Sequence, residues 1–370
     1  MAGLGRTLAI QAINSLIILF VILVIISAMF VYLNQKQLEA VVIEATQMFV
    51  RNLERNPNLT PEQKEQLAKA FEYNMRVRFG LIGSPAERIF NLMTRLITLD
   101  LGNARNAYLG ASTSVKDQIV FALKNTIILF TTATIISTII GILLGMSAAR
   151  RAGSILDKAV SFAAILSSSI PFWWLGMLML LAFSFKLGWF PYSAKDVYVA
   201  VARLQAMLQA GQLDKLTYFL KYLYTWAYYM ALPLITVVIL SIGSWAYVTR
   251  NIVLSKLTED FVMTARAKGV PERKVLYGHV LRAASPPIVT IIALSMVSSL
   301  GGAIITETVF GWPGMGLLYW VSLSNGEAIL LAANVYVTVL LFIIVVFALN
   351  FIYAILDPRV RTGAATYTPR

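Results

Sequence analysis

The residue types that could do chemistry are few in this chain, and their spacing points to contact rather than catalysis. There is no cysteine and one histidine, His279, so a zinc, iron–sulfur or disulfide-framed site is not expected. No run reads Gly, four residues, Gly-Lys and then Ser or Thr. The chain therefore lacks a phosphate-cradling loop and is not expected to hydrolyse ATP by itself. The informative stretch runs from Ser255 to Pro287. Thr258 is placed to cap a short helix whose first turn holds Glu259 and Asp260 and whose last turn holds Arg266 and Lys268, the polarity that a helix dipole favours. Gly269 would end that helix and Pro271 begin the next. Two short helices bent about a glycine, with Phe261, Val262 and Ala265 on one face and basic residues beside them, form an angled knob suited to a groove on a partner. A positively charged loop lying on lipid headgroups fits the same residues.

The elements that must carry this knob are strongly apolar. Of the 370 residues 58% are apolar and 13% charged, about half the roughly 25% charge content of an ordinary soluble domain. Six stretches are free of Asp, Glu, Lys and Arg: Thr7 to Gln35, Asn125 up to Arg150, Ala159 to Phe185, Tyr222 to Thr249, Ala283 to Thr306 and Ala328 to Leu356. Each suffices for a bilayer crossing, which takes about 20 mostly apolar residues. The first is too long for the core of a typical signal peptide, and no small-x-small site follows Tyr32, so it reads as an uncleaved helix. A further helix between Thr308 and Gly326 is broken by Gly311, Pro313, Gly314 and Gly316.

Charge placement orients the six spans. The termini and short loops on one side hold 14 basic and 5 acidic residues, +9 of the formal +13. Both termini are therefore expected in the cytoplasm. The net charge is then a topology signal, and nucleic acid is not needed as a partner.

Between Asn34 and Lys116 the chain is polar, with Leu38, Val41, Val42, Ala45, Met48 and Phe49 at helical spacing. Thr60-Pro61-Glu62-Gln63 and Ser84-Pro85-Ala86-Glu87 each place a hydroxyl before a helix, Pro at its first position and Gln or Glu three residues on. A helical module outside the membrane is expected, holding a partner, covering a pore mouth or lying as a collar on the membrane. A second outer segment, Leu187 to Lys221, leads into Tyr222, Tyr224, Trp226, Tyr228 and Tyr229, which read as an interfacial belt more readily than as a lined path.

The span centres hold no ionisable residue, whereas an ion-coupled carrier normally buries one. Energy for uphill transport would then come from elsewhere. Pro171 must kink the third span, which marks that helix as a candidate moving or path-lining element. Gly141 and Gly145, one turn apart, permit close helix packing. Glu307, at the outer end of the fifth span, is costly to bury without a partner. It is expected to meet a basic residue at an outer gate, to contact an extracytoplasmic partner or to remain a solvated interfacial carboxylate, and the Gly/Pro-rich segment after it is expected to lie along the outer surface.

With these residues in view, the stretch Asp260-Phe261-Val262-Met263-Thr264-Ala265-Arg266-Ala267-Lys268-Gly269, followed by His279, Arg282 and Pro286, resembles the coupling loop of permease subunits of ATP-binding-cassette importers. The form is that of the dipeptide/oligopeptide branch. Met263 stands where the wider family has a glutamate. Five other stretches resemble the same branch in order: Leu99-Asp100-Leu101-Gly102, Ser169-Ile170-Pro171-Phe172-Trp173, Leu187-Gly188-Trp189-Phe190-Pro191, Glu307 to Gly316 with Trp312 inside it, and Leu356-Asp357-Pro358-Arg359-Val360-Arg361.

The resemblance implies an all-α polytopic fold of the type I importer class with six transmembrane helices. Taken with the apolar runs and the capping signatures, the chain divides into a first helix (1–35), an extracytoplasmic helical module (36–118), a five-helix permease core (119–363) with its coupling loop at 255–285, and a cytoplasmic tail (364–370). The resembling stretches begin at Leu99, and the segment Gln35 to Arg95 is longer than the family implies. The implied function is one half of a translocation path for oligopeptides or oligosaccharides. The implied partners are a second permease, two cytoplasmic ATPase subunits that hold ATP and Mg, and an extracytoplasmic solute-binding protein. The coupling contacts would be Asp260, Thr264, Ala265, Arg266, Ala267, Lys268, Gly269 and His279, and Pro171, Trp173, Glu307 and Trp312 would belong to the path or gate. The competing class is a self-sufficient channel or secondary carrier, for which an intramembrane charge or an internal repeat would speak.

Overall fold

The computed structural model describes residues 2–33, 35–57, 59–110, 112–299 and 304–356. The residues from Asp357 onward, with most of the last motif and the tail 364–370, lie outside the described residues. Among the described residues the regular elements are all helical, with one isolated bridge between Asn103 and Ser114. Contacts divide the chain into two compact units, Met1–Ile119 with Val321–Arg370, and Val120–Trp320.

In the first unit, α1 (Ala2–Leu33) is followed by α2 (Gln35–Glu54), α3 (Pro61–Arg78) and α4 (Pro85–Thr98). Both expected capping boxes form. Thr60 Oγ1 accepts from Gln63 N while the Gln63 side chain accepts from Thr60 N, and Ser84 and Glu87 repeat the arrangement. These reciprocal bonds satisfy amides that have no intrahelical partner, which is why the two helices start where they do. Helices α2 and α3 pack through stacked rings of Phe49 and Phe71, 4.2 Å apart. Val42 is fully buried, whereas Met48, on the same expected stripe, is exposed.

The second unit is built mainly on α5 (Val115–Arg150), whose first residues belong to the first unit, α6 (Ile155–Ser169), α7 (Phe172–Met179) with a π-helical turn at Leu180–Lys186, α8 (Val197–Gln209) and α9 (Lys215–Leu257). At 43 residues, α9 rises about 64 Å at 1.5 Å per residue, twice what a roughly 30 Å hydrocarbon core needs. Asp214 caps its start, accepting from Leu216 N and Thr217 N. Small residues set the packing: a Cβ on Gly141 or Gly145 would collide with α9 at Trp245 or at Ala246 and Thr249. Gly243 lies equally tight against Ala163 and Ser167. These are close backbone approaches of the kind that packs helices in lipid.

After α9 come α10 (Asp260–Ala267), α11 (Glu272–Lys274), a π-helical turn at Val275–Val280, α12 (Leu281–Ser299), α13 (Ile304–Phe310) and α14 (Met315–Ser324). Helix α15 (Ala328–Leu356) packs on α1 in the first unit. Among the described residues five helices are long and apolar enough to cross a membrane, and α6 with α7 and its π turn, bent by 96°, count as a sixth when the pair is taken as one span. The fifth differs from expectation: the long apolar helix begins at Glu272 rather than near Ala283. The cause is that α11, the π turn and α12 run on without interruption, carrying Pro286 and Pro287 inside the helix.

Candidate functional site

Two constructions in the second unit carry the sequence-derived candidates. The first is the knob between α9 and α12. Gly269 sits at φ +72°, the left-handed conformation that ends a helix and that other residues adopt only with strain. Beyond it the chain turns into α11, and Arg266 crosses the bend to Glu272 in a two-point contact of 2.7 and 3.1 Å. Planar guanidinium and carboxylate groups match in this geometry. Val262 and Ala265 are buried against Val275, Leu276 and Val280, with Met146 and Val253 in the same cluster and Phe261 packed on it.

Three expectations need correction here. The apolar face of Phe261, Val262 and Ala265 does not project outward: it is the keel that fastens the knob, because leaving three apolar side chains in water costs more than packing them on the neighbouring helices. Thr258 does not cap α10, since its hydroxyl donates to Ser255 O at the end of α9. Glu259 occupies the cap position without a capping bond, its carboxyl held by Lys256 at 2.6 Å. What remains exposed is Asp260, Met263, Thr264, Arg266, Ala267, Lys268 and Gly269, with His279 exposed further on. Met263, 64% exposed, is the apolar centre of this outer face.

The second construction surrounds Glu307, on α13 and fully buried. Its Oε2 accepts from Gly316 N at 2.7 Å and Leu317 N at 3.1 Å, and its Oε1 from the Thr126 hydroxyl at 2.7 Å. Thr126 Oγ1 in turn accepts from Met315 N at 2.8 Å. The first three amides of α14 are thus all capped, by side chains on α13 and α5 rather than by the residue before the helix. That residue is Gly314, and a Cβ there would collide with Glu307 Oε1 and Thr126 Oγ1. The glycine leaves room for a cap delivered by tertiary structure, at a helix end whose dipole favours a carboxylate.

Neighbouring groups complete the latch. Asn125 Nδ2 donates to Pro313 O at 2.9 Å and to the Tyr198 hydroxyl at 2.6 Å. Trp312 is buried among Leu129, Phe130, Ala133, Val237 and Val238, and its Nε1 donates to Asn125 O at 3.1 Å. Trp226 meets the Trp312 ring edge-on at 6.0 Å, so this member of the expected aromatic belt turns inward, while Tyr224 stays exposed. The structure therefore corrects the ion-pair and the solvated readings of Glu307 and the reading of its neighbours. Glu307 is not solvated, and among the described residues no basic side chain forms an ion pair with it. The segment from Trp312 to Leu318 is buried rather than spread on the outer surface.

Pro171 stands between α6 and α7 with extended backbone, and the carbonyl of Pro171 accepts from Trp174 N and Leu175 N to start α7. The expected kink is a full break of 96°. Trp173 is 43% exposed and is not joined to the Glu307 latch. One pair had no signal in the sequence. Asp157, near the start of α6, accepts from Arg250 on α9 in a two-point contact, its Oδ1 from Nε and its Oδ2 from Nη2, the latter at 2.9 Å. Asp157 also accepts from Gly153 N at 2.8 Å. By residue type these two looked like ordinary loop charges 93 residues apart, and only the packing of α6 on α9 brings them together. The same holds for Asn125 and Thr126.

Residues 141–362 match the family model of the binding-protein-dependent transport system inner membrane component. The chain belongs to this family. It is a multi-pass membrane permease subunit of a binding-protein-dependent importer, with the helical architecture of the type I class. The permease is 29% identical over 265 residues to an oligopeptide transport system permease protein of Bacillus subtilis, covering 70% of this chain and 78% of the relative. It is 28% identical over 275 residues to a di/tripeptide transport system permease protein of Pseudomonas aeruginosa, covering 70% and 79%. Over 240 residues it is 30% identical to a dipeptide transport system permease protein of Escherichia coli, covering 62% and 68%. The family match begins inside α5, so α1 to α4 lie outside it.

Proposed function

We propose that the permease pairs with a second permease to form a translocation path for peptides, with both termini and the knob in the cytoplasm and α2 to α4 outside. Two ATPase subunits, which carry ATP and its Mg, receive one knob from each permease, and an extracytoplasmic solute-binding protein delivers cargo. The observation that carries this reading is the knob itself: a bend fixed by Gly269 and the Arg266–Glu272 pair, keeled into the bundle by Val262 and Ala265, with Met263, Thr264, Ala267 and Lys268 outward. A part fastened on its apolar side and exposed on the other can pass a push from a partner to α9 and α12 without yielding itself. Pro171, at the break between α6 and α7, and Trp173 beside it are the candidate hinge and path residues. The Glu307–Trp312 latch would hold the gate segment as a rigid piece. Peptide is favoured over oligosaccharide as cargo because the relatives described above are named for peptide transport.

The test is purification of the tagged chain from its native membrane in mild detergent. Two ATPase copies, a second six-span chain and a binding protein loaded with peptide are expected to accompany it. Because the chain has no cysteine, Met263→Cys supplies a unique probe, expected to crosslink to the ATPase. A chain that arrives alone and moves solute in liposomes without ATP would establish a channel or carrier instead.

A further inference from the structure

Helix α4 puts Arg88, Asn91 and Arg95 at i, i+3 and i+7, one helical face. These three line a cleft of the first unit together with the apolar side chains of Phe30, Leu38 and Ile329. Arg88 is only 7% exposed, yet among the described residues its hydrogen-bond partner is a neutral backbone carbonyl, Gly80 O at 2.9 Å. Arg95 likewise donates to the carbonyls of Asp100 and Leu101. Among the described residues no carboxylate lies within ion-pair distance of either guanidinium. Arg105, in the adjoining cleft, differs in that Glu327 stands 3.8 Å away. A guanidinium as deeply buried as that of Arg88 is expensive without a counter-charge, and Arg95, half-buried on the same helical face, adds a second positive charge to the same cleft.

The depth of the cleft names what supplies the missing charge. Phe30 and Val31 end the span Ala9–Tyr32, and Ala328 and Ile329 begin the span Ala328–Ala348, and all four line it. The cleft opens where these spans leave the hydrocarbon, the level at which lipid phosphates lie. A guanidinium fork matches phosphate oxygens, and the apolar wall matches the glycerol and upper acyl carbons. We infer that this cleft binds the headgroup of an acidic phospholipid, with Arg88 and Arg95 on the phosphate, the Asn91 amide beside them and the acyl chains against Phe30, Leu38 and Ile329. A zwitterionic lipid brings its own cation and leaves the net charge of the site uncompensated, so the acidic headgroup is preferred. The inference requires only that the chain spans a bilayer, and it stands or falls separately from the cargo and partners proposed above.

The experiment uses the full chain with whatever subunits accompany it, delipidated and exchanged into nanodiscs of phosphatidylcholine with a minor fraction of phosphatidylglycerol. The particles are then re-extracted and the retained lipid is identified by native mass spectrometry. Phosphatidylglycerol should be enriched about tenfold or more over the bulk mixture, as two basic groups near the surface allow. Asn91→Glu places a carboxylate at an exposed position between the two arginines and should abolish the enrichment without lowering the thermal midpoint. Arg88→Gln should abolish it as well, and Arg88→Lys should keep part of it. Equal retention of the two lipids, or enrichment that survives Asn91→Glu in a folded chain, would overturn the inference. Stabilisation by millimolar inorganic phosphate with no lipid preference would make this a free-anion site and would also overturn it.

Discussion

The knob and the Glu307 latch both turn the chain at a glycine beside a carboxyl group, and they need that glycine for opposite reasons. At Gly269 nothing lies within 4 Å of where a Cβ would sit, and the requirement comes from its φ of +72°. At Gly314 the requirement is space, because Glu307 and Thr126 occupy the volume a side chain would fill. The carboxyl groups differ in the same sense. Glu272 holds Arg266 with both side chains more than a third exposed, so water competes for each, whereas Glu307 replaces water altogether for buried amides. One region is a surface part shaped by backbone conformation, the other an interior part shaped by polar satisfaction. Substitutions should therefore separate them.

The largest effect is expected from Gly314→Ala. The new methyl displaces the cap, and each buried amide left unpaired costs about 1–3 kcal/mol. The chain should not be recovered as a monodisperse species in detergent, and parental recovery on size exclusion would break the contrast. Glu307→Gln keeps the shape but turns a donating NH2 toward one of the donors that the carboxyl now accepts from. A loss of about 2 kcal/mol is expected, read as a lowered thermal midpoint. An unchanged midpoint would mean that shape alone holds the segment. Gly269→Ala meets no clash and should cost roughly 1–2 kcal/mol for the left-handed backbone, with membrane insertion intact and uptake reduced further than stability. Gly269→Asp should uncouple transport more strongly, and wild-type uptake in that variant would remove the bend from the coupling argument. The smallest effect belongs to Glu272→Gln, expected below about 1 kcal/mol and shrinking as salt is raised. A larger, salt-independent loss would show the knob to be held as the latch is.

The same division explains what could be read from the residues. The capping boxes at Thr60 and Ser84, the helix end at Gly269 and the interruption at Pro171 each depend on neighbours within four positions; the first three appear as expected, and at Pro171 the expected kink is a 96° break. The spacing of Val262 and Ala265 puts them on one face, but which way it points depends on Val275, Leu276 and Val280, further along the chain. Glu307 was recognised as costly to bury. Its partners carry no sequence signal, because they are the backbone amides of Gly316 and Leu317 and the hydroxyl of Thr126 rather than a basic side chain. Asp157 and Arg250 are the extreme case, two common residues whose pairing rests wholly on the close approach of α6 to α9.

What the sequence alone determined was the class of molecule: runs of uncharged apolar residues must be helical in lipid, since backbone amides find no water there, and proline and glycine punctuate those helices through local sterics. Where the polar interior lies was set by the packing of distant segments. A buried carboxyl group selects its donors by three-dimensional proximity, and backbone amides at a helix start carry no residue identity by which a sequence could announce them.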